Sequence, residues 1–248
     1  MHGAQTIQSY PVTGDFLAGR LRHTMDAENL VLLENAMGEP RIVPDSARLI
    51  TRGELASHAT MLVDGFLLRT IRRDGKRFIV GVHIPGDFVD LHGFVLKRLD
   101  HDIVAAGPAR VAQIGHHRLA EITNERPTLA RALWFATLLD AAIHRQWIRN
   151  LEALDAPQRI AHLYAELHHR FTLIGRNVSR ALRTPFTQSD LGDMCGVSAI
   201  HANRAVGRLR ELGLAEIRRG DLYTSDWQAL EAYAGFDPTY LYGDRMSR

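Results

Sequence analysis

The sequence predicts an α+β protein in three parts: an antiparallel β-roll or jelly roll, one long amphipathic helix, and a small helical unit closed by a basic hairpin. Three observations carry this reading. Short β-type runs separated by turn signals fill the first half of the chain. An apolar repeat in steps of four and three follows Pro127. Two capped helical segments around a glycine then precede a strand–turn–strand run, all within residues 184–224. The expected boundaries are 1–126 for the roll with its leading helices, 127–155 for the long helix, and 156–248 for the C-terminal unit with an extension.

Length and composition fit that division. A chain of 248 residues can bury two modest cores, and its apolar fraction of 46% and charged fraction of 23% are those of an ordinary globular protein. Net charge is +2, with 18 basic and 18 acidic residues before position 156 and 12 basic and 10 acidic from there on. Any affinity for nucleic acid must therefore come from local clusters of arginine, because counterion release scales with the phosphates neutralised. The single cysteine, Cys195, excludes an intrachain disulfide and a four-thiolate cluster. The opening MHGAQTIQSYPVTGD lacks a basic stretch followed by an apolar core, and no apolar run is long enough to span a bilayer. A reducing cytoplasm is the expected compartment, with no membrane partner.

In the first part, Phe16, Leu17 and Leu21, then Leu30, Leu32 and Leu33, carry a weak helical pattern that ends before Pro40 and Pro44. HATMLVDG, FLLRTIRRDG and KRFIVGVHIPGD follow, and Asp64-Gly65 and Asp74-Gly75 read as hairpin turns, which need positive φ at both positions. Two more strands are expected at 101–106 and 110–114. Short strands at this spacing suggest a roll.

Leu129, Leu133, Ala136, Asp140, Ile143, Trp147 and Leu151 then form one stripe of a helix ending near Leu154. The stripe outlasts what a small roll can cover, so it reads as a seam between two copies, with Asp140 out of keeping. Asp155-Ala156-Pro157 signals a hinge and a new helix, with Asp as cap and Pro in the first turn.

The segment TPFTQSDLGDMCGVSAIHANRAVGRLRELGLAEIRRGDLYT carries the chemistry. Thr187 caps a helix over 188–195, Gly196 allows a left-handed turn, and Ser198 caps a helix over 199–212. Ala202, Ala205, Val206, Leu209 and Leu212 can face inward. AEIRRGDLYT supplies a small wing. This is the pattern of a winged helix-turn-helix, whose second helix enters the major groove. The fork of Arg204 suits the O6 and N7 of guanine. His201, Asn203 and Arg208 fit backbone contacts. The helix start at Thr187, Gln188 and Ser189 offers a phosphate site, and Arg218 and Arg219 suit phosphate or the minor groove.

With these parts in order, the chain resembles the CRP/FNR family of bacterial transcription regulators over about residues 30–225. The resemblance rests on IPGDFVD (84–90), LEALDAPQRIAHLYAEL (151–167) and above all FTQSDLGDMCGVSAIHANRAVGRLRELGL (186–214). It implies a cyclic-nucleotide-binding-like roll, a dimerisation helix, and a homodimer on an inverted-repeat DNA site, with RNA polymerase as a further partner. It also implies that Ala199, Ile200 and Arg204 read bases, that Ser198 and His201 touch backbone, and that Thr187 and Gln188 meet phosphate.

On the sensory side the resemblance implies a ligand pocket at Asp90, Leu91, His101, Asp102, His144 and Arg145. An acidic residue where a cyclic phosphate would sit is electrostatically wrong, so cyclic AMP is not the expected effector. One cysteine excludes the iron–sulfur route. The effector and cofactor are thus unspecified, with a small-molecule or haem sensor as one alternative and a cupin-like metalloenzyme as another. Against a metal stands the lack of an H-E-x-x-H motif or metal-binding cupin triad among the thirteen histidines. No catalytic residue is expected.

Overall fold

The computed structural model describes residues 9–176 and 178–244. Phe16 and Leu17 are buried, as their pattern requires, but they sit in a run of turns ahead of a 3-10 turn (Leu21–Thr24). The first α-helix is α1 (Ala27–Ala36), capped by the Asp26 side chain accepting from Asn29 N.

Strands β1 (Arg41–Val43), β2 (Arg48–Ile50), β3 (His58–Arg73), β4 (Lys76–His83) and β5 (Asp102–Gly115) make an antiparallel sheet of order β1-β5-β3-β4. The short β2 pairs with the other half of β5, and a helical turn, α2 (Gly93–Leu96), lies between β4 and β5. Asp74-Gly75 forms the expected hairpin turn, with φ of 52° and 74°.

Asp64-Gly65 does not. Both sides of that dipeptide pair with β5, and the register shifts around Asp64, so it is a bulge within one long strand. Gly65 has φ of 86°, and a Cβ there would lie 2.6 Å from the Pro108 carbonyl. The two strands expected at 101–106 and 110–114 are likewise one strand, bent at Gly107-Pro108. These irregularities coil a single sheet into a roll. Leu62, Leu67, Val89, Ile103 and Val111 fill its interior.

Helix α3 (His116–Glu125) leads to α4 (Pro127–Ala153), which starts on its proline. Leu129, Leu133 and Ile143 are buried against the chain's own parts, Leu129 and Leu133 with Phe16, Leu33 and Leu119, and Ile143 with Leu241. The stripe expected to face a second copy is therefore mostly covered from within. The apolar residues left open are Trp134, Leu138 and Ile148, 66%, 51% and 68% exposed, with Leu151 at their C-terminal end. Trp134, Leu138 and Ile148 are four and ten residues apart and lie on a different face of α4, whereas Leu151 is the end of the expected stripe left open.

Helix α5 (Ala156–Leu173) begins with the full capping box of Asp155 and Gln158. Strand β6 (Ala181–Leu182), helices α6 (Gln188–Cys195) and α7 (Ala199–Glu211), and strands β7 (Glu216–Arg218) and β8 (Asp221–Tyr223) follow, with sheet order β6-β8-β7. Past the wing, α8 (Trp227–Tyr233) and a 3-10 turn (Pro238–Leu241) fold back onto α5 and α4. Tyr240 Oη donates to Glu166 Oε2 at 2.8 Å, and Leu241 is fully buried beside Leu139 and Ile143.

One apolar core joins the two ends of the molecule. Phe66, Leu68, Ile79 and Val82 of the roll pack with Tyr164, Leu167 and Phe171 of α5 and with Phe186 and Leu191. Phe66 meets Phe171 and Phe186 edge-to-face at 5.7 and 5.3 Å.

Candidate nucleic-acid interface

The helix-turn-helix is built as its sequence specifies. Thr187 and Asp190 form a reciprocal capping box at the start of α6, and Gly196 ends that helix with φ of 66°. Ser198 caps α7 by accepting from His201 N, and its Oγ also lies 2.8 Å from His201 Nδ1. Ala202, Ala205, Val206 and Leu209 face the core, whereas Leu212, expected inward, is 40% exposed because α7 stops at Glu211. Cys195 is buried at the turn, and burial pushes its thiol up to about 12, so it packs as an inert hydrophobe.

The outer face of α7 presents Ala199, Ile200, His201, Asn203, Arg204 and Arg208, all exposed. Arg204 makes no ion pair among the described residues, whereas Arg208 is held loosely by Glu211 at 3.4 Å. Thr187 is less free than its position suggests. Its N–H and hydroxyl both donate to Asp190 Oδ2, which leaves the amides of Gln188 and Ser189 as the open donors of the helix start.

The wing turns on Arg219 and Gly220, with φ of 54° and 93°. A side chain on Gly220 would strike the Thr184 and Phe186 carbonyls at 2.5 Å. Tyr164 Oη and Thr184 Oγ1 both donate to the Gly220 carbonyl, at 2.6 and 2.7 Å, and fix the tip. Arg218 donates to Glu216 at 2.6 Å, and Arg219 stands at the tip itself.

Three arginines, none singled out by sequence reasoning, tie this unit to the roll. Arg77, next to the β3–β4 turn, donates from Nε to Asp193 and from Nη2 to Asp190, at 2.7 and 2.6 Å. Arg170 of α5 reaches Asp87 at 2.5 Å and the Val82 carbonyl at 3.0 Å. Arg176 meets Asp15 and Asp64 at 2.9 and 3.2 Å. Their partners lie 83 to 161 residues away in sequence, so no local pattern marks them.

The six residues expected around a roll ligand take up different partners. Asp90 is buried and accepts from Thr60 N and Oγ1 at 2.6 and 2.9 Å, and burial pushes its carboxyl up to about 7. Leu91 belongs to the core. His101 lies 2.7 Å from Asp100 and Asp102 accepts from Arg52 N. Arg145 is exposed. His144 is in direct contact with a charged cluster between roll and long helix. There Arg69 of β3, 5% exposed, donates to Asp140 at 2.8 Å and lies 3.0 Å from His144 Nε2. Burial, the largest single influence, would raise the Asp140 carboxyl, but Arg69 together with His83 and His144 more than offsets it and holds the group at about 2. The charge that interrupts the apolar stripe is thus the counter-ion of a buried arginine. Among the described residues no group of three or more His, Cys, Asp or Glu is placed to hold a metal ion.

A roll, a long helix and a winged helix-turn-helix whose exposed second helix carries an unpaired arginine on its outer face define a DNA-binding transcription regulator. Residues 158–233 match the model of the Crp-like helix-turn-helix domain. The chain is 22% identical over 219 residues to the anaerobic regulatory protein of Haemophilus influenzae, covering 88% of this chain and 85% of that protein. It is 24% identical to the transcriptional activator protein FnrA of Stutzerimonas stutzeri, over 86% of this chain and 87% of that one. The structure of FixK2 from Bradyrhizobium japonicum shares the fold, with a TM-score of 0.71 at 20% identity over 79% of this chain and 96% of that chain. Residues 158–233 thus carry a Crp-like helix-turn-helix domain, and over most of its length the chain is similar to transcription regulators of the CRP/FNR type.

Proposed function

We propose that the protein regulates transcription as a homodimer on an inverted-repeat DNA site, each copy placing α7 in the major groove. The observation that carries this reading is Arg204, exposed and unpaired on the outward face of a helix whose cap, turn and wing are all held rigid. Its fork reads guanine, while the Ser198–His201 pair, Asn203, Arg208 and the wing arginines hold the backbone. Ala199 and Ile200 present apolar surface to the bases, which suits contact with thymine methyl groups.

The second copy covers the open stripe of α4. Trp134, Leu138, Ile148 and Leu151 supply large apolar groups along a helix of 27 residues, about 40 Å long at about 1.5 Å per residue. In this reading 1–126, 127–155 and 156–248 act as sensor-like roll, dimer helix and DNA-binding unit. RNA polymerase is the partner through which binding alters transcription, in the cytoplasm. No helix among the described residues is long and apolar enough to cross a membrane.

The test is selection of bound duplexes from a random library, followed by light scattering of the complex. Enrichment of a two-fold symmetric site bound by two chains is expected. An unsymmetric site bound by one chain refutes the dimer, and no enrichment refutes sequence-specific binding.

A further inference from the structure

We propose that the groove between α7 and the wing strand β7 seats one phosphodiester group of the DNA backbone, with Arg210 and Arg218 supplying charge and Gly207 supplying clearance. The proposal rests on the DNA-binding reading and adds two residues to it, Gly207 and Arg210. The groove has a volume of about 370 Å³, and its polar wall is Gln188, Asn203, Arg210, Glu216 and Arg218.

Gly207 is the feature that calls for an external ligand. It lies in the middle of α7, where glycine weakens a helix relative to alanine. A Cβ built there meets no heavy atom within 4 Å, and the residue is not among those with positive φ. Neither packing nor backbone conformation therefore requires glycine. The contrast is Gly192 of α6, whose Cβ would come 2.8 Å from the Val197 carbonyl, so that internal packing explains it. What is left for Gly207 is the close approach of something outside the chain.

The position of Gly207 names the visitor. It follows Ile200 by seven residues and Arg204 by three, so it continues the reading face. It also follows Asn203 by four and precedes Arg210 by three, so it forms the floor of the groove. A strand whose bases meet Ile200 and Arg204 brings its backbone across this floor.

The charge fits as well. Arg210 is exposed and makes no ion pair among the described residues. Arg218 donates to Glu216 at 2.6 Å, so two guanidinium groups face one carboxylate and one positive charge is left over. Gln188 leaves its buried Oε1 without a partner, and an amide turned the other way offers a donor. A phosphodiester brings one negative charge and two acceptor oxygens, which a guanidinium fork matches.

The experiment measures binding of the full chain to its selected duplex and to a random duplex of equal length, across a salt series. The variants are Gly207→Ala, Gly207→Leu and Arg210→Gln. The alanine variant should keep or raise Tm while binding several-fold more weakly, and leucine should cost about tenfold or more. The factor should be the same on both duplexes, because a phosphate carries no sequence. Arg210→Gln should lower the slope of log K against log salt by about 0.9 for each arginine removed. Wild-type affinity in both glycine variants, with an unchanged slope for Arg210→Gln, overturns the groove. So does a loss confined to the selected duplex, which would set Gly207 against a base edge. A wild-type protein that binds neither duplex overturns the DNA-binding reading itself.

Discussion

Asp140→Asn removes the carboxylate that receives Arg69 Nη1 at 2.8 Å and leaves a guanidinium that is only 6% exposed without its counter-ion. Two routes give the size of the cost, one a little below the other. The Asp140 carboxyl is held at about 2 against its ordinary 3.8, and at about 1.4 kcal/mol per pH unit that is roughly 2.5 kcal/mol. Removing one member of a buried pair costs about 3–5 kcal/mol. The 29% exposure of Asp140 moves the expectation toward or below the low end of that range. Because the folded value is depressed, the contribution is complete above pH 3.8 and is lost as pH falls toward 2. Urea unfolding at pH 7 should show the variant less stable by about 2–3 kcal/mol, with Tm lower by about 5–10 °C for a chain of this size. The gap between wild type and variant should close below pH 4. Arg69→Met in the same background should recover part of the loss, since an apolar side chain needs no counter-ion. A variant within about 0.5 kcal/mol of wild type, or strictly additive losses in the double variant, would refute the pairing.

Arg204→Ala should cost about 1–3 kcal/mol on the selected DNA site and nothing on random duplex, read by titration against both. Equal losses on the two would make Arg204 a backbone contact. Arg77→Met strands Asp190 and Asp193 and should cost about 1.5–3 kcal/mol, the range for hydrogen bonds to charged groups. Hydrogen exchange should quicken across α6 in that variant and stay unchanged in α3, and unaltered exchange in α6 would show the clamp to be idle. Leu138→Asp places a charge in the open stripe of α4, so light scattering should fall from two chains to one while circular dichroism stays native. Persistence of the dimer would move the interface elsewhere.

Much of the local architecture was legible because it is written in short-range chemistry. The Asp155, Thr187 and Ser198 caps and the Gly196 turn each depend on residues within a few positions. Asp74-Gly75 turned as expected because its flanking runs pair with each other. Asp64-Gly65 looks the same in sequence, but its flanks share a third strand, and only the topology reveals that. The stripe on α4 was read as a seam for the same reason. An apolar face does not state whether its partner is its own chain, and Asp140 looked misplaced until Arg69, 71 residues earlier, stood beside it. Gly207 carries a local signal, a glycine inside a capped helix, but sequence does not show that nothing in the chain packs against it.

The core shared by Phe66, Leu68, Ile79 and Val82 with Tyr164, Phe171 and Phe186 sets a limit on dissection. The stretch that matches a family model, residues 158–233, is a unit of descent, yet β3 and β4 supply one wall of its interior. Excised alone, it would present those aromatic rings to water and leave Arg170 without Asp87. A substitution deep in the roll can thus abolish operator occupancy without touching any residue near DNA. Genetic screens for loss of repression or activation should return such sites, far from the recognition helix, as fold defects shared by both halves.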